Sequence, residues 1–396
     1  MTRAGAARPD AIRRHNLGLL LTQIHRDGEL SRAELTQRLD LSRSTVRALV
    51  AELAELGLVE EHVPSGGERA GRPSHLVGPR SDGPYAIAVD VDITHITTAA
   101  VGVGGHVLAR DVTATDPSPS PPATVARAIV AAAERLGTQV ARGAWPIGIG
   151  VSLPGTVGRQ DGLVELAPNL GWRDAAFGEI LTGLTPAGLP VSIGNDADVA
   201  VLAEHLRGNG RDCDDLVYLM GRIGVGAGVI VNGAPLRGRD GHAGEVGHTV
   251  VDASGPKCHC GQRGCVETYI GDNALLELAG RKASPTVDHT DQLFTDAHTG
   301  DKRAADAVRT VAQALGRTVA TLVNLLNPEL VILGGSLAGV LEFARADIRA
   351  SLDSFAMTTA RDAVQLRPPA LGEDSALVGA AELAFARLLD DPLVRP

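Results

Sequence analysis

Three of the four cysteines in the sequence lie close together, and a histidine precedes them. Cys258, Cys260 and Cys265 fall within eight residues, and His248 ends the segment Gly-Glu-Val-Gly-His. Three thiolates and one imidazole complete a tetrahedral ligand set for structural Zn²⁺ and leave no position for a reacting water molecule. His259 is an alternative fourth ligand, although a ring between two ligating cysteines is poorly placed. The clustering favours a metal over disulfides and predicts a zinc ion that holds a loop in shape.

Side chains that can bind hydroxyl groups lie near this cluster or after predicted strands. They are Asn169, Asn195, Asp196, Glu245, His248 and Glu267. The first lies in a loop, the next two follow an apolar strand, and the last three are close to the metal ligands in sequence. Carboxylates accept hydrogen bonds from vicinal hydroxyls, and α/β sheets place their ligands at strand ends. Taken alone, each Asn or Asp is better explained as a turn residue or a helix cap.

The elements that would position these residues begin near residue 84. From there, apolar strands alternate with Ala-rich helices: strands at 85–93, 95–103 and 146–155, and a helix at about 123–140. This alternation predicts an α/β sheet.

The first part of the chain has a different pattern. Residues 13–62 are rich in Leu, Arg, Glu and Ala, with apolar residues at helical spacing. Helices are expected at about 14–26, from Ser31 with a capping box to Glu34, and from Ser42 to about residue 56. Two short β-like segments around a Gly-rich tip then predict a wing.

The third helix carries a buried stripe and a polar face. Val46, Leu49, Val50 and Leu53 recur at i, i+3, i+4 and i+7 and define the buried side. A helix with Ser and Arg at its N-terminal end fits the major groove of DNA, where Arg reaches guanine or phosphate. The candidate DNA contacts are Ser42, Arg43, Ser44, Thr45 and Arg47. A three-helix bundle with solvated arginines is the alternative interpretation.

Two further arginines belong to the predicted wing. Arg69 lies at its tip, and Arg72 lies in the rigid tripeptide Gly-Arg-Pro. An arginine there can enter a narrow minor groove, where the negative potential is strongest. The tripeptide is equally explained as a turn before the next domain.

Charge and hydropathy exclude several protein classes. The net charge is −10, yet residues 1–80 contain 12 arginines against 10 acidic residues, which leaves about −12 for the remainder. One end of the chain can therefore meet phosphate while the other avoids it. No run reaches the roughly 18 apolar residues of a membrane span, and no signal-peptide pattern follows the N-terminus, so a cytoplasmic protein is expected.

From about residue 86 onward the chain resembles the ROK family, which contains bacterial sugar kinases and sugar-responsive repressors. The resemblance rests on Gly-Glu-x-Gly-His followed by Cys-x-Cys-Gly-x-x-Gly-Cys-x-Glu. It implies an actin-like ATPase (ribonuclease H-like) α/β fold of two lobes with ligand in the cleft, and zinc on His248 and the three clustered cysteines. It also implies that the six hydroxyl-binding candidates contact a sugar, with Gly155 nearby and Asp196 at the position of the kinases' catalytic base.

The resemblance also shows where this chain departs from the kinases. Their first phosphate motif is Asp-x-Gly-Gly-Thr-Lys, and the aligned stretch begins at Asp90 but has Asp92 and Ile93 in place of the glycines. At a distance of a few ångström and an effective dielectric near 20, the added charge repels a triphosphate by about 4 kcal/mol or less, and the isoleucine adds bulk. Arg222 begins a pair that replaces Gly-Thr before the second loop, whose glycines at 224–228 are expected to be inherited fold geometry.

The sequence thus predicts a winged helix-turn-helix at 1–80 and two lobes at 84–200 and 201–396, the last helix returning to the first lobe. The expected function is a transcriptional regulator, a repressor rather than an enzyme, that binds an operator in double-stranded DNA as a homodimer or homotetramer and responds to a sugar or sugar derivative. One alternative is an active sugar kinase with a DNA-binding arm. Another is a sensor of phosphosugars or partner proteins with a vestigial cleft.

Overall fold

The structure is a computed structural model, and it describes residues 9–63, 75–115, 119–158, 162–186, 188–282 and 289–394. These residues form a small N-terminal head, 9–79, followed by a two-lobed α/β domain, 84–394. Within these ranges, none of the helices combines the length and apolar character needed to cross a bilayer.

The head contains three helices and a three-stranded sheet. Its elements are α1 (Pro9–Asp27), β1 (Leu30–Ser31), α2 (Arg32–Leu39), α3 (Arg43–Glu55), β2 (Val59–His62) and β3 (Leu76–Pro79). The capping box is confirmed, because the Ser31 hydroxyl accepts from the Glu34 amide while the Glu34 carboxylate accepts from the Ser31 amide. The first helix begins five residues before the predicted residue 14, since its first turns are exposed and show no apolar periodicity.

The wing is formed by β2 and β3, which pair antiparallel, with β1 on the other side of β3. The tip between the two long strands, residues 64–74, lies outside the described residues, and with it the two predicted contacts Arg69 and Arg72. On α3 the predicted stripe is confirmed, since Val46, Leu49, Val50 and Leu53 are all buried.

The first lobe is built on a mixed five-stranded sheet. Its elements, with the helix that follows it, are β4 (Pro84–Val91), β5 (His95–Gly102), β6 (Val107–Ala114), α4 (Pro122–Gly137), β7 (Trp145–Leu153), β8 (Thr156–Val157), β9 (Val164–Ala167), β10 (Trp172–Ala175), α5 (Phe177–Leu184), β11 (Val191–Asn195) and α6 (Asp196–Arg207). The strand order is β11-β7-β4-β5-β6. The first three strands in sequence form an antiparallel meander, and β7 and β11 add to it in parallel.

The second lobe repeats this topology. Its elements are β12 (Leu216–Gly221), β13 (Val225–Val231), β14 (Ala234–Pro235), α7 (Glu267–Ile270), α8 (Asp272–Leu278), α9 (His289–His298), α10 (Lys302–Leu326), β15 (Leu330–Gly335), α11 (Ser336–Phe355), α12 (Thr358–Arg361), β16 (Gln365–Arg367) and α13 (Ser375–Asp390). The strand order is β14-β13-β12-β15-β16. The predicted two-lobed α/β fold is therefore confirmed, and the β4–β5 and β12–β13 turns occupy equivalent places in the two lobes.

The final helix connects all parts of the molecule. It packs on β4 and β7 of the first sheet, on α6 and on α1 of the head. The buried apolar residues of the head share one hydrophobic cluster with the first sheet and α13, including Leu17, Ala88 and Phe385. The head is thus packed onto the two-lobed domain rather than attached only through the chain.

Candidate functional site

The two lobes enclose a cleft with a cavity of about 1170 Å³, and all the predicted ligand residues line it. They are Gly155, Asn169, Asn195, Asp196, Glu245, His248 and Glu267. The first four come from the first lobe and the start of α6. Glu245 and His248 come from the segment between β14 and α7, and Glu267 is the first residue of α7. Residues far apart in sequence are brought to one cavity, as the duplicated sheet topology requires.

Asn195 and Asp196 lie where β11 meets α6. The Asn195 carboxamide oxygen accepts from the amides of Ala197 and Asp198 at 2.9 and 3.2 Å, so this residue caps α6. Its Nδ2 donates to the Gly155 carbonyl at 3.0 Å, which ties the cap to the neighbouring loop. The carboxyl of Asp196 is buried beside the cavity, and burial raises its pKa to about 6, although Arg222 opposes the shift. The Asp196 carboxyl at the start of α6 can therefore gain or lose a proton close to neutral pH.

The predicted zinc ligands lie together. One ligand atom from each of His248, Cys258, Cys260 and Cys265 falls within 4.8 Å of the others, so the four residues could hold a metal ion. The Cys258 Sγ to His248 Nδ1 distance and the Cys260 Sγ to Cys265 Sγ distance are both 3.7 Å. A tetrahedron with metal–sulfur bonds of about 2.3 Å has edges of about 3.8 Å. The donor set and its spacing therefore fit a tetrahedral cation such as Zn²⁺.

His259 takes a different place from the alternative weighed on sequence. Its Nδ1 contacts the Glu267 carboxylate at 2.8 Å, and its ring lies edge-on to the His248 ring at 5.4 Å. The other Glu267 oxygen accepts from the Val225 amide at 3.3 Å. Glu267 thus connects the loop of the predicted metal ligands to the start of β13. His259 adds an imidazole to the cavity wall, a position that was not predicted from the sequence.

An ion pair joins the two turns of the cleft that align with the kinases' phosphate motifs. Arg222, on the β12–β13 turn, donates Nη1 to Asp92, on the β4–β5 turn, at 3.0 Å. Its Nη2 lies 3.9 Å from Asp90 and 3.8 Å from Glu373. The two charged residues among the departures from the kinase motifs, Asp92 and Arg222, therefore neutralise each other across the lobes. Their opposite charges were visible in the sequence, but their proximity was not, because 130 residues separate them.

Close packing accounts for Gly228, and in part for Gly226, in the second predicted phosphate loop. A Cβ on Gly228 would lie 2.3 Å from the Ala197 carbonyl oxygen, and one on Gly226 would lie 3.1 Å from the Ala197 Cβ. β13 therefore crosses the start of α6 too closely for side chains. Glycine here is explained by the fold alone, without a bound nucleotide.

The face of α3 that is predicted to contact DNA carries two exposed arginines. The Ser42 hydroxyl caps the helix by accepting from the Thr45 amide at 3.1 Å, and it also contacts the hydroxyls of Ser44 and Thr45. Arg43 and Arg47 are exposed, and neither has a carboxylate partner within the described ranges. By contrast, five other arginines of the head are paired with Asp or Glu: Arg13, Arg14, Arg26, Arg32 and Arg38. Two cations without partners at a helix N-terminal end are suited to phosphate or guanine.

Comparison with known proteins agrees with this division into head and cleft. A profile described as ROK family matches residues 86–387, and one described as MarR family matches residues 18–70. The xylose repressor of Bacillus subtilis is 28% identical over 380 residues, covering 96% of this chain and 97% of that protein. A solved ROK family transcriptional regulator, a homolog of the Escherichia coli MLC protein, has a TM-score of 0.78 and 26% identity, covering 96% of this chain and 98% of its own. A ROK family glucokinase from Streptomyces griseus, solved with glucose and AMPPNP, has a TM-score of 0.67 and 29% identity, covering 76% of this chain and 99% of its own.

Proposed function

Because the chain belongs to the ROK family, we propose that it is a sequence-specific DNA-binding transcriptional repressor whose operator affinity is modulated by a sugar or sugar derivative in the cleft. The similarity to repressors extends along the whole chain, head included, whereas the glucokinase matches 76% of it. The observation that carries the proposal is the Arg222–Asp92 pair, because it lies at the turns that align with the kinases' phosphate motifs, in a cleft lined by all the predicted sugar-binding residues.

The residues that line the cleft would have different roles in sugar binding. Asp196, Glu245 and Glu267 offer carboxylate oxygens to hydroxyl groups, and His248 offers an imidazole edge. Asn195 and Gly155 hold the start of α6 beside them, and Asn169 closes the cavity from the first lobe. Zn²⁺ on His248 and the three cysteines would hold Glu245 and Glu267 in place, because both residues are close to the metal ligands in sequence. The metal would have a structural role and would take no part in a reaction.

DNA binding belongs to the head. Arg43 and Arg47 of α3 would contact the major groove. The hydroxyls of Ser42, Ser44 and Thr45 would lie near the sugar-phosphate backbone of the DNA. Arg69 and Arg72 of the wing would reach the minor groove. A homodimer or homotetramer acting in the cytoplasm would present two heads to two half-sites, and sugar binding would change their separation.

We expect magnesium-ATP to leave the thermal midpoint unchanged, while one sugar class raises it. A ligand at 100 times its dissociation constant adds roughly 2.7 kcal/mol to the free energy of unfolding, so either effect is visible in a melting scan. The panel contains D-glucose, D-xylose and N-acetyl-D-glucosamine, each with and without magnesium-ATP. The same samples are then titrated against a duplex selected by the protein from a random pool, and the stabilising sugar should lower its affinity. If no sugar changes either quantity, the sensor proposal is wrong.

The second candidate function, an active sugar kinase, is favoured only by Asp196, whose pKa of about 6 suits a general base. It predicts a further shift with magnesium-ATP and the appearance of sugar phosphate in the same samples. The position of Arg222 beside Asp90 and Asp92 opposes it, because phosphates would have to displace a paired guanidinium and approach two carboxylates.

Sugar affinity is expected to fall as the pH is lowered through about 6. The ionised Asp196 carboxylate can accept hydrogen bonds from sugar hydroxyl groups. Because burial raises its pKa to about 6, protonation below that pH removes a hydrogen-bond acceptor. The dissociation constant of the stabilising sugar, measured calorimetrically from pH 5 to 8, should rise toward the acid end. Asp196→Asn, which does not titrate, should bind weakly at every pH, and a flat wild-type profile would contradict the assignment.

A further inference from the structure

A buried polar network joins the head to the two-lobed domain, away from the cleft. His25, near the end of α1, contacts the Glu382 carboxylate of α13 from Nε2 at 2.9 Å. Arg207, the last residue of α6, donates Nε to the other Glu382 oxygen at 2.7 Å. The His25 and Glu382 side chains are 3% and 2% exposed, and Arg207 is 10% exposed. Three helices from distant parts of the chain therefore meet at one shielded ion pair.

Backbone contacts fix the geometry of this network. Arg207 Nη1 donates to the carbonyl oxygens of His25 and Gly104 at 2.9 and 2.8 Å. The Gly104 amide donates to His25 Nδ1 at 3.1 Å, and His25 Nε2 lies 2.9 Å from a Glu382 oxygen and 2.6 Å from Arg207 Nη2. Burial raises the pKa of Glu382, but His25 and Arg207 outweigh it and lower the pKa below its ordinary value. The carboxylate is thus charged and matched to the guanidinium of Arg207.

The helices around the network pack with little room to slide past each other. A Cβ on Gly18 of α1 would lie 2.5 Å from the Leu389 carbonyl oxygen at the end of α13. A Cβ on Gly379 of α13 would lie 1.9 Å from the Val199 carbonyl oxygen of α6. Backbone therefore meets backbone from α6 to α13 and from α13 to α1. Displacement of one helix must move the next, because well-packed interfaces deform little.

Helix α6 spans the distance between the cleft and the network. Its 12 residues form a rod of about 18 Å. Asn195 and Asp196 at its N-terminal end line the sugar cavity, and Arg207 at its other end holds Glu382 and the His25 carbonyl. One rigid element therefore touches both the ligand site and the contact that orients the head.

We propose that Arg207, held by Glu382 and His25, is the positioning residue through which occupancy of the cleft at Asp196 changes the orientation of the DNA-binding head. This inference rests on the proposed function, because it names the route by which that same cleft regulates DNA binding. The physical warrant is a single helix whose position both sites bias, with a buried contact at the end remote from the ligand.

The test uses the double variant R207Q/E382Q, which removes both charges together and leaves no buried charge unpaired. Operator affinity is measured on the selected duplex with and without the sugar that stabilises the wild type. The variant should keep its sugar-induced thermal shift and its sugar-free operator affinity within about threefold, while the effect of sugar on that affinity falls below about twofold. Arg14→Gln is the matched control, because Arg14 also joins α1 to the end of α13, through Asp391 at 3.0 Å, but is 55% exposed. It should respond like the wild type.

A second measurement does not require a sugar. Coupling is reciprocal, so binding of the duplex should change amide hydrogen exchange in α6 near Asp196 in the wild type but not in R207Q/E382Q. The inference is overturned if the double variant responds to sugar as the wild type does, or if duplex leaves the exchange of α6 unchanged in the wild type. A wild type that binds sugar and duplex without any mutual effect would instead refute the proposed function.

Discussion

Replacing Cys258 with serine is expected to abolish binding of the proposed zinc ion, lower the thermal midpoint and remove the proposed response to sugar. Cys258 is 2% exposed, and burial raises the pKa of its thiol to about 12, so a stable thiolate there needs a compensating cation. Structural zinc contributes on the order of 10 kcal/mol to the folding of small zinc domains at neutral pH. In a larger lobe only the loop depends on it, so a fall of about 10 °C in the midpoint is expected.

The sugar response should disappear for a separate reason. His248 is both a predicted metal ligand and a lining residue of the cavity, and Glu267 follows Cys265 by two residues. Without the metal, the loop no longer holds these side chains beside Asp196, and sugar affinity should fall by 100-fold or more, about 2.7 kcal/mol. Metal content by mass spectrometry, the melting midpoint and calorimetric sugar titration measure the three effects.

Cys213→Ser is the matched control for this variant. Cys213 is also a buried free thiol, and its Sγ donates to the Asp215 carbonyl at 3.5 Å, a bond that a serine hydroxyl can replace. It lies outside the metal cluster, so metal content and sugar response should stay at wild-type values. If C258S keeps one metal per chain and an unchanged sugar affinity, the four-residue site is not the metal centre.

The parts of the molecule that could be predicted from sequence are those fixed by local spacing. The buried stripe on α3 follows from helical periodicity, and the caps at Ser31 and Ser42 follow from the unpaired amides of a helix start. The metal ligands were found because four soft donors lie within 18 positions, so a loop brings them together without help from the rest of the fold.

The parts that could not be predicted depend on contacts between distant segments. Arg222 and Asp92 are 130 residues apart, and each was visible only as a departure from a motif. His25 and Glu382 are 357 residues apart, and neither belongs to a sequence motif that would mark it as a contact residue. Such pairs are set by sheet order and helix packing, which no local pattern encodes.

The duplicated sheet explains how two residues in this cleft can form an ion pair at the turns that align with the kinases' phosphate motifs. Equivalent turns, β4–β5 and β12–β13, face each other across the lobes, and in this chain they carry Asp92 and Arg222 in place of the small residues that phosphates need. Strand β13 of the second lobe keeps its close approach to α6, since a side chain at Gly228 would collide with the Ala197 carbonyl oxygen. Two residues of opposite charge thus form an ion pair between the two turns that align with the kinases' phosphate motifs.

Replacing Arg47 with alanine is expected to remove operator binding while sparing the sugar-induced thermal shift. Arg47 is exposed on α3, and no carboxylate of the described residues neutralises it, so its charge is free to meet DNA. Loss of one arginine contact costs about 1–3 kcal/mol, and a dimer loses two, so affinity should fall by about 100-fold or more. Arg13→Ala removes an equally exposed arginine that Glu52 already neutralises, at 3.0 Å from Nε, and should bind duplex almost as tightly as the wild type.

The salt dependence of binding then shows what Arg47 contacts. If it binds phosphate, R47A lowers affinity equally for all duplexes and reduces the slope of log K against log salt by about 1 per head. If it binds a guanine edge, the slope is retained and selectivity relaxes at one position of each half-site, because base contacts specify while phosphate contacts position. Unchanged affinity together with an unchanged slope would show that α3 is not the recognition helix, and the wing would then have to read the operator.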